Sequence, residues 1–423
     1  MLPPACPGAS ARLTPRCFGD TMTHSMIATL SNAELLARLV SYDSTSTKSN
    51  VPIADFVCEY LDRPGIDVLR HPDADGTKVN LIARIDGRGK DTKGGGVDPE
   101  GLVLCGHLDV VPACEPEWQT DPFSLVDDAT HYFGRGSCDM KGFVALAMNA
   151  MCLVCRDDLT HPLMLLLTHD EEVGLLGAKR LAAEWQQTGG SIAGLPVSFP
   201  RSVIVGEPTS LRAVRMHKGL LEMRVTVRGV PAHSGYPHLG RSAIEPAARI
   251  VAGLAALRSA LEEGGGPNVA LFPETPFVAL NVGRITGGTA VNIVPDRCVI
   301  ELSVRLLPGM EAAPFVERVR NIVADAAGSD DADFEFVHDS PPMLLAEGAP
   351  VHRTLCDLLS QSRSYGVSYA TDAGALQAMG LDCVLCGPGT IEVAHKPNES
   401  LPKDEFRRAA ELIETVVKRF CKE

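Results

Sequence analysis

The sequence predicts an α/β protein, with a mainly parallel central sheet flanked by helices and interrupted by a smaller α+β domain. Three observations predict it. Short apolar runs alternate with segments of helical length through the first half of the chain. Between about residues 213 and 338 the rhythm changes to alternating, half-buried strand patterns. The first rhythm then returns up to the C-terminus. Apolar runs that end in polar residues and are separated by helices mark parallel strands joined by crossovers.

The strands of the first half are VNLIARI (79–85), GLVLCGHLDVV (101–111), HPLMLLLTHDEE (161–172) and RSVIVGEP (201–208). Between them, KGFVALAMNAMCLVCRDD (141–158) and LLGAKRLAAEWQQ (175–187) have helical length and patterning. The Gly-rich stretch 86–101 reads as a surface loop. In the middle, LLEMRVTVRG is a strand, 241–261 a helix, FVALNVGRITGG and CVIELSVRLLPG two strands, 313–328 a helix and DFEFVHD a strand. That β-α-β-β-α-β order is a ferredoxin-like unit. In the tail, VHRTLCDLLSQ is a helix, LDCVLCGPG a strand and DEFRRAAELIETVVKRFCK an amphipathic last helix. The expected division is 1–26 as a disordered tail, 27–212 with 339–423 as one domain, and 213–338 as the insert.

The net charge of −14 over 423 residues leaves no surplus of Lys and Arg to neutralise phosphate. Nucleic acid and anionic membranes are therefore excluded as expected partners. No apolar run reaches the ~18–20 residues that span a bilayer. Residues 1–26 lack the apolar core of a signal peptide, so the expected location is the cytoplasm, with Met22 or Met26 as an alternative start. The 13 cysteines are an odd, scattered number, which fits reduced thiols better than a disulfide framework. Cys383 and Cys386 share a strand, where residues three apart face opposite sides and cannot close a chelate. Cys152 and Cys155 sit in an apolar run with no second pair, so a structural zinc module is not expected.

The candidate chemistry lies where the strands end. His107 and Asp109 form H-x-D, and residues two apart on a strand share a face. Asp109 is expected to accept a hydrogen bond from the imidazole and fix its tautomer. Asp139, in YFGRGSCDMKG, reads alone as a helix N-cap. Glu171 and Glu172 follow an apolar strand, where an acidic pair is costly unless it is paired or binds a cation. Glu207 ends RSVIVGEP, and His395 lies just past LDCVLCGPG. Singly, each has an ordinary reading as a turn, cap or surface residue. Together they fall beyond the carboxyl ends of the strands, the crevice in which open α/β sheets bind ligands. Two His and several carboxylates suit Zn²⁺ or a similar ion.

These residues lie in a series of motifs: GHLDVVP, GRGSCDMKG, DEEVGLLGAKRL, VGEPTS, RGVPAHSGYPHLG and GPGTIEVAHKPNE. From about residue 30 to the C-terminus, the series resembles the metallopeptidase family of acetylornithine deacetylase, succinyl-diaminopimelate desuccinylase, aminoacylase and the glutamate carboxypeptidases. Residues 205–219, 281–310 and 385–401 look more like acetylornithine deacetylase than like the desuccinylase. Leu108 departs from the usual H-T-D, but it should face away from the site.

The resemblance implies a zinc-peptidase-like fold and two divalent ions per subunit, Zn²⁺ foremost, with Co²⁺ or Mn²⁺ accepted by the same ligands. It implies that Asp139 bridges the ions, that His107 and Glu207 complete one site, and that Glu172 and His395 complete the other. Glu171 would be the general base, and Asp109 would support the ligating His107 from behind. His233, in PAHSG, would reach the active site of a second subunit and stabilise the oxyanion, which implies a homodimer joined through the insert. Asn292 and Arg305 match positions that bind the substrate carboxylate. The implied reaction is hydrolysis of a small acyl amide of an amino acid. A non-catalytic member would lack a ligand or the base, and none is missing.

Overall fold

The computed structural model describes residues 28–88, 94–327 and 331–423. The tail expected over 1–26 lies outside the described residues. Of the stretch read as a Gly-rich loop, residues from Gly96 onward are strand rather than loop.

The large sheet runs in the order Asp67–Pro72, Val79–Ile85, Leu163–Thr168, Gly96–His107, Ser198–Pro208, Asp382–Gly387, Val214–His217 and Met343–Leu344. Tyr365–Val367 pairs beside Val214–His217. The four central strands, from Leu163–Thr168 to Asp382–Gly387, are parallel. Most of the flanking pairs are antiparallel.

Central strands are buried on both faces, so they read as continuous apolar runs. Their side chains divide by the two-residue period. Leu163, Leu165 and Leu167, with Leu102 and Leu104, pack on one side under the helices Asn32–Val40, Val51–Tyr60, Gly142–Leu153 and Lys403–Cys421. Met164 and Leu166, with Val103 and Cys105, pack on the other under Leu176–Gln187 and Ala373–Gln377. Gly142–Leu153 is covered on nearly all sides, which explains why it carries no polar face. Truncating Leu165 to Ala would cost about 2–5 kcal/mol.

The small domain is an antiparallel sheet in the order Ala279–Gly287, Arg297–Leu306, Gly219–Arg228, Ala332–Ser340. Helices Ile244–Gly264 and Ala313–Ala327 cover one face of it. The chain changes sheets across Lys218 and returns across Pro341 and Pro342. Val214–His217 therefore belongs to the large sheet, although its position falls inside the expected insert 213–338. The Lys218 ammonium anchors the change. It is buried, donates to the carbonyls of Thr275 and Phe277 at 2.6 and 2.8 Å, and lies over the Phe272 ring. Among the described residues, no helix is long and apolar enough to cross a membrane.

Candidate metal centre

Because the central strands are parallel, their carboxyl ends share one edge. His107 is the last residue of its strand, Glu171 and Glu172 follow Thr168, and Glu207 is next to last in its strand. The loop after Gly387 carries His395, held at a left-handed φ of 62°. A non-glycine residue there stores strain, a feature of functional loops.

Two groups of potential ligand atoms form at this edge. His107, Asp139 and Glu207 are one, Asp139, Glu172 and His395 the other, with the atoms of each group within 4.8 Å of one another. Asp139 belongs to both. Its Oδ1 lies 3.1 Å from His107 Nε2 and its Oδ2 3.4 Å from His395 Nε2. His395 Nε2 is also 2.9 Å from Glu172 Oε2.

Backbone bonds hold the acids in place. The Glu399 carboxylate accepts the N–H groups of Gly136, Cys138 and Asp139 at 3.1, 2.9 and 3.0 Å, and pairs with Arg135 at 2.8 Å. This clamps the turn that presents Asp139. Gly136 is required in that turn, since its φ is 79° and a Cβ would lie 2.7 Å from Val110 Cγ1. Gly206 allows the strand before Glu207 to lie against the Phe143 ring, which a Cβ would meet at 1.9 Å.

The expected bond from His107 to the Asp109 side chain is different in the structure. Nδ1 of His107 is 2.9 Å from the Asp109 main-chain carbonyl and 3.7 Å from its carboxylate. The carboxylate instead accepts from Ser46 Oγ at 2.7 Å and from the backbone N–H groups of Glu171 and Glu172 at 3.1 and 3.3 Å. The strand ends at His107, so Asp109 lies outside it, where strand alternation no longer sets the side-chain direction. Asp109 still fixes the tautomer, through its backbone, and its side chain positions the acidic pair.

The electrostatics call for a cation. Burial, then Asp139, pushes the Glu207 carboxyl well above the usual range. Burial does the same to Glu171, against the pull of His107 and with Glu207 adding to it. Glu172 is pushed up to about 7 by burial and by Asp139. For Asp139, burial is outweighed by hydrogen bonds from His107 and His395, which hold it well below the usual range. Hydrogen bonds to Asp139 and Glu172 raise His395 to about 10. Glu207 Oε1 is buried with no hydrogen-bond partner among the described residues. Crowded acids and an orphaned carboxylate oxygen fit divalent ions, which take the place of protons on such ligands.

The other three expected residues lie on the small domain. His233 is exposed, its Nδ1 accepting the Gly235 N–H at 2.9 Å and its backbone bridged to Ile293. Asn292 is exposed beside it, and its main-chain carbonyl accepts the Ser234 N–H at 2.9 Å. Arg305 is half-buried on Arg297–Leu306, where burial lowers its pKa and Glu222 opposes the shift. Among the described residues, none of the three bonds to the Asp139 cluster. Sequence reasoning missed Glu399 altogether, although it stands in the same motif as His395. An acid four residues after a candidate ligand, in a segment returning to the sheet, was the available signal.

Residues 103–419 match the family described as Peptidase family M20/M25/M40. Acetylornithine deacetylase of Myxococcus xanthus is 35% identical over an alignment of 398 positions that covers 91% of this chain and 96% of that protein. Acetylornithine deacetylase of Proteus mirabilis is 31% identical, covering 90% and 92%. Among solved structures, an M20 family metallo-carboxypeptidase from Sulfolobus solfataricus is similar at TM-score 0.72 and 18% identity, over 92% of this chain and 99% of that one. Aminopeptidase PepT from Bacillus cereus is similar at TM-score 0.68 and 20% identity, over 92% and 98%. The fold is thus that of M20 peptidases, and the chain belongs to peptidase family M20/M25/M40 as a metal-dependent hydrolase.

Proposed function

We propose that the chain hydrolyses the N-acetyl amide of N2-acetyl-L-ornithine to L-ornithine and acetate, as a cytoplasmic step of arginine biosynthesis. The observation that carries this reading is the pair of ligand groups sharing Asp139, with the Glu171 carboxylate beside them and free of hydrogen bonds among the described residues. The deacetylases of similar sequence support the choice of substrate.

In this reading His107, Asp139 and Glu207 would hold one ion, and Asp139, Glu172 and His395 would hold a second. Zn²⁺ is the first choice, and Co²⁺ or Mn²⁺ suits the same donors. When bound, the ions supply Lewis acidity and lower the pKa of a water. Glu171 takes the proton of the attacking water and delivers it to the leaving amine. Asp109 holds Glu171 and Glu172 through their backbone N–H groups. Arg305 and Asn292 receive the substrate carboxylate, for which a guanidinium fork is well shaped.

His233 acts on the oxyanion from the second subunit of a homodimer joined through the small domain. Its exposure supports this, as do the exposed apolar Tyr236, Leu239, Val291 and Ile293 on the same two loops.

The test is a substrate panel with protein reconstituted in Zn²⁺ or Co²⁺. Acetate release from N2-acetylornithine should exceed turnover of the rest. Faster turnover of acetylcitrulline, succinyl-diaminopimelate or a dipeptide would move the chain to another substrate within the family.

A further inference from the structure

Beyond the strand Tyr365–Val367 stands a tyrosine that the reaction above does not use. The Tyr369 hydroxyl is buried and has no hydrogen-bond partner among the described residues. Leaving such a group unpaired destabilises the fold, and phenylalanine would fill the same space without that cost. A buried donor left unpaired in a native protein needs an explanation, and a ligand that binds beside it supplies one.

The surroundings indicate the partner. After burial itself, the charges that act on the phenol are those of Glu207, Asp139 and Glu171. All three belong to the candidate centre, yet none is hydrogen-bonded to the hydroxyl. The same side chain lines a cavity of about 440 Å³ together with Pro208, Thr390 and Glu392, chain neighbours of Glu207 and His395. Tyr369 therefore stands between the acidic cluster and an open space of substrate size.

We propose that the Tyr369 O–H donates a hydrogen bond to the oxygen of the scissile carbonyl, from the same chain that holds the metal ligands. The proposal rests on the hydrolase reading of the site. As the water oxygen bonds to the carbonyl carbon, the π pair moves onto the carbonyl oxygen, and the phenol stabilises that charge while keeping its proton. The pair then re-forms the carbonyl as the C–N bond breaks, and the amine leaves with the proton carried by Glu171. Burial holds the phenol far above its ordinary pKa, so it stays a donor across the working range.

Tyr369→Phe tests this on whichever amide the wild type hydrolyses fastest. Loss of one such donor lowers kcat by about 100-fold, with KM little changed. The metal-free variant should unfold no earlier than the wild type, because an unpaired hydroxyl has been removed. The metal-loaded variant should bind acetohydroxamate, a small acyl ligand, roughly tenfold more weakly. Unchanged kcat, a rise in KM alone, or unchanged acetohydroxamate affinity overturns the proposal. A kcat loss accompanied by earlier unfolding of the metal-free protein or by fewer ions per chain also overturns it, as the mark of a structural role. If the wild type hydrolyses no N-acyl amino acid, it is the functional reading that fails, and acetohydroxamate binding still decides the role of Tyr369.

Discussion

At the carboxyl edge of the large sheet, His107, Asp139 and Glu207 are buried and each lies within reach of the others. On the small domain, His233 and Asn292 stand exposed, and Arg305 forms no ion pair among the described residues. The first region is built before any ligand arrives: Glu399 and Asp109 spend their carboxylates on backbone N–H groups that aim the acids. The second is the face that the proposed homodimer would cover. Preorganised charge lowers a barrier because nothing has to reorient during reaction. Exposed groups add specificity only once a substrate or a second subunit brings them in.

This contrast can be broken most forcefully at the base. Glu171→Gln should lower kcat by about 10³-fold with both ions still bound, as read by steady-state kinetics and metal content. Retention of full hydrolysis would remove the base from the scheme. Next is His233→Ala, with a loss of about 10²-fold and no change in metal content or unfolding temperature. Mixing His233→Ala chains with Glu171→Gln chains should regain activity, because a hybrid dimer has one site holding both residues. Failure to complement would confine catalysis to a single chain.

Glu399→Gln sharpens the contrast from the built side. The clamp on the Asp139 turn loosens, and metal affinity should fall about 10- to 100-fold in a chelator competition, whereas Asn292→Ala should leave it unchanged. The smallest effect concerns the junction between the regions. Burial, with help from Arg305, lowers the His217 pKa from 6.5 to about 4. As pH falls from 6.5 towards 4, the unfolded chain takes up a proton that the folded chain refuses, so this stabilisation is lost on acidification, at about 1.4 kcal/mol per pH unit at most. His217→Asn should lose less stability than the wild type between pH 6.5 and 5 in denaturant titrations, and an equal loss would contradict the assignment.

Much of this was legible in the sequence because the central strands are long, buried on both faces and end in acids or histidines. The reading failed where information is non-local or too short. Val214–His217, Met343–Leu344 and Tyr365–Val367 span two to four residues and carry no usable period. Glu399 bonds to a turn about 260 residues away, which no local pattern announces. Strand alternation puts the Asp109 carboxylate on the imidazole, but the strand ends at His107 and the carbonyl meets the ring instead. Tyr369 gave no signal, because its interest lies in a bond it does not make.

Whether Asp139 joins two metal sites can be read from anomalous diffraction of zinc-loaded crystals. Two zinc peaks per chain should flank the Asp139 carboxylate, one beside His107 and Glu207 and the other beside Glu172 and His395. A single peak, or zinc bound away from Asp139, would contradict that arrangement.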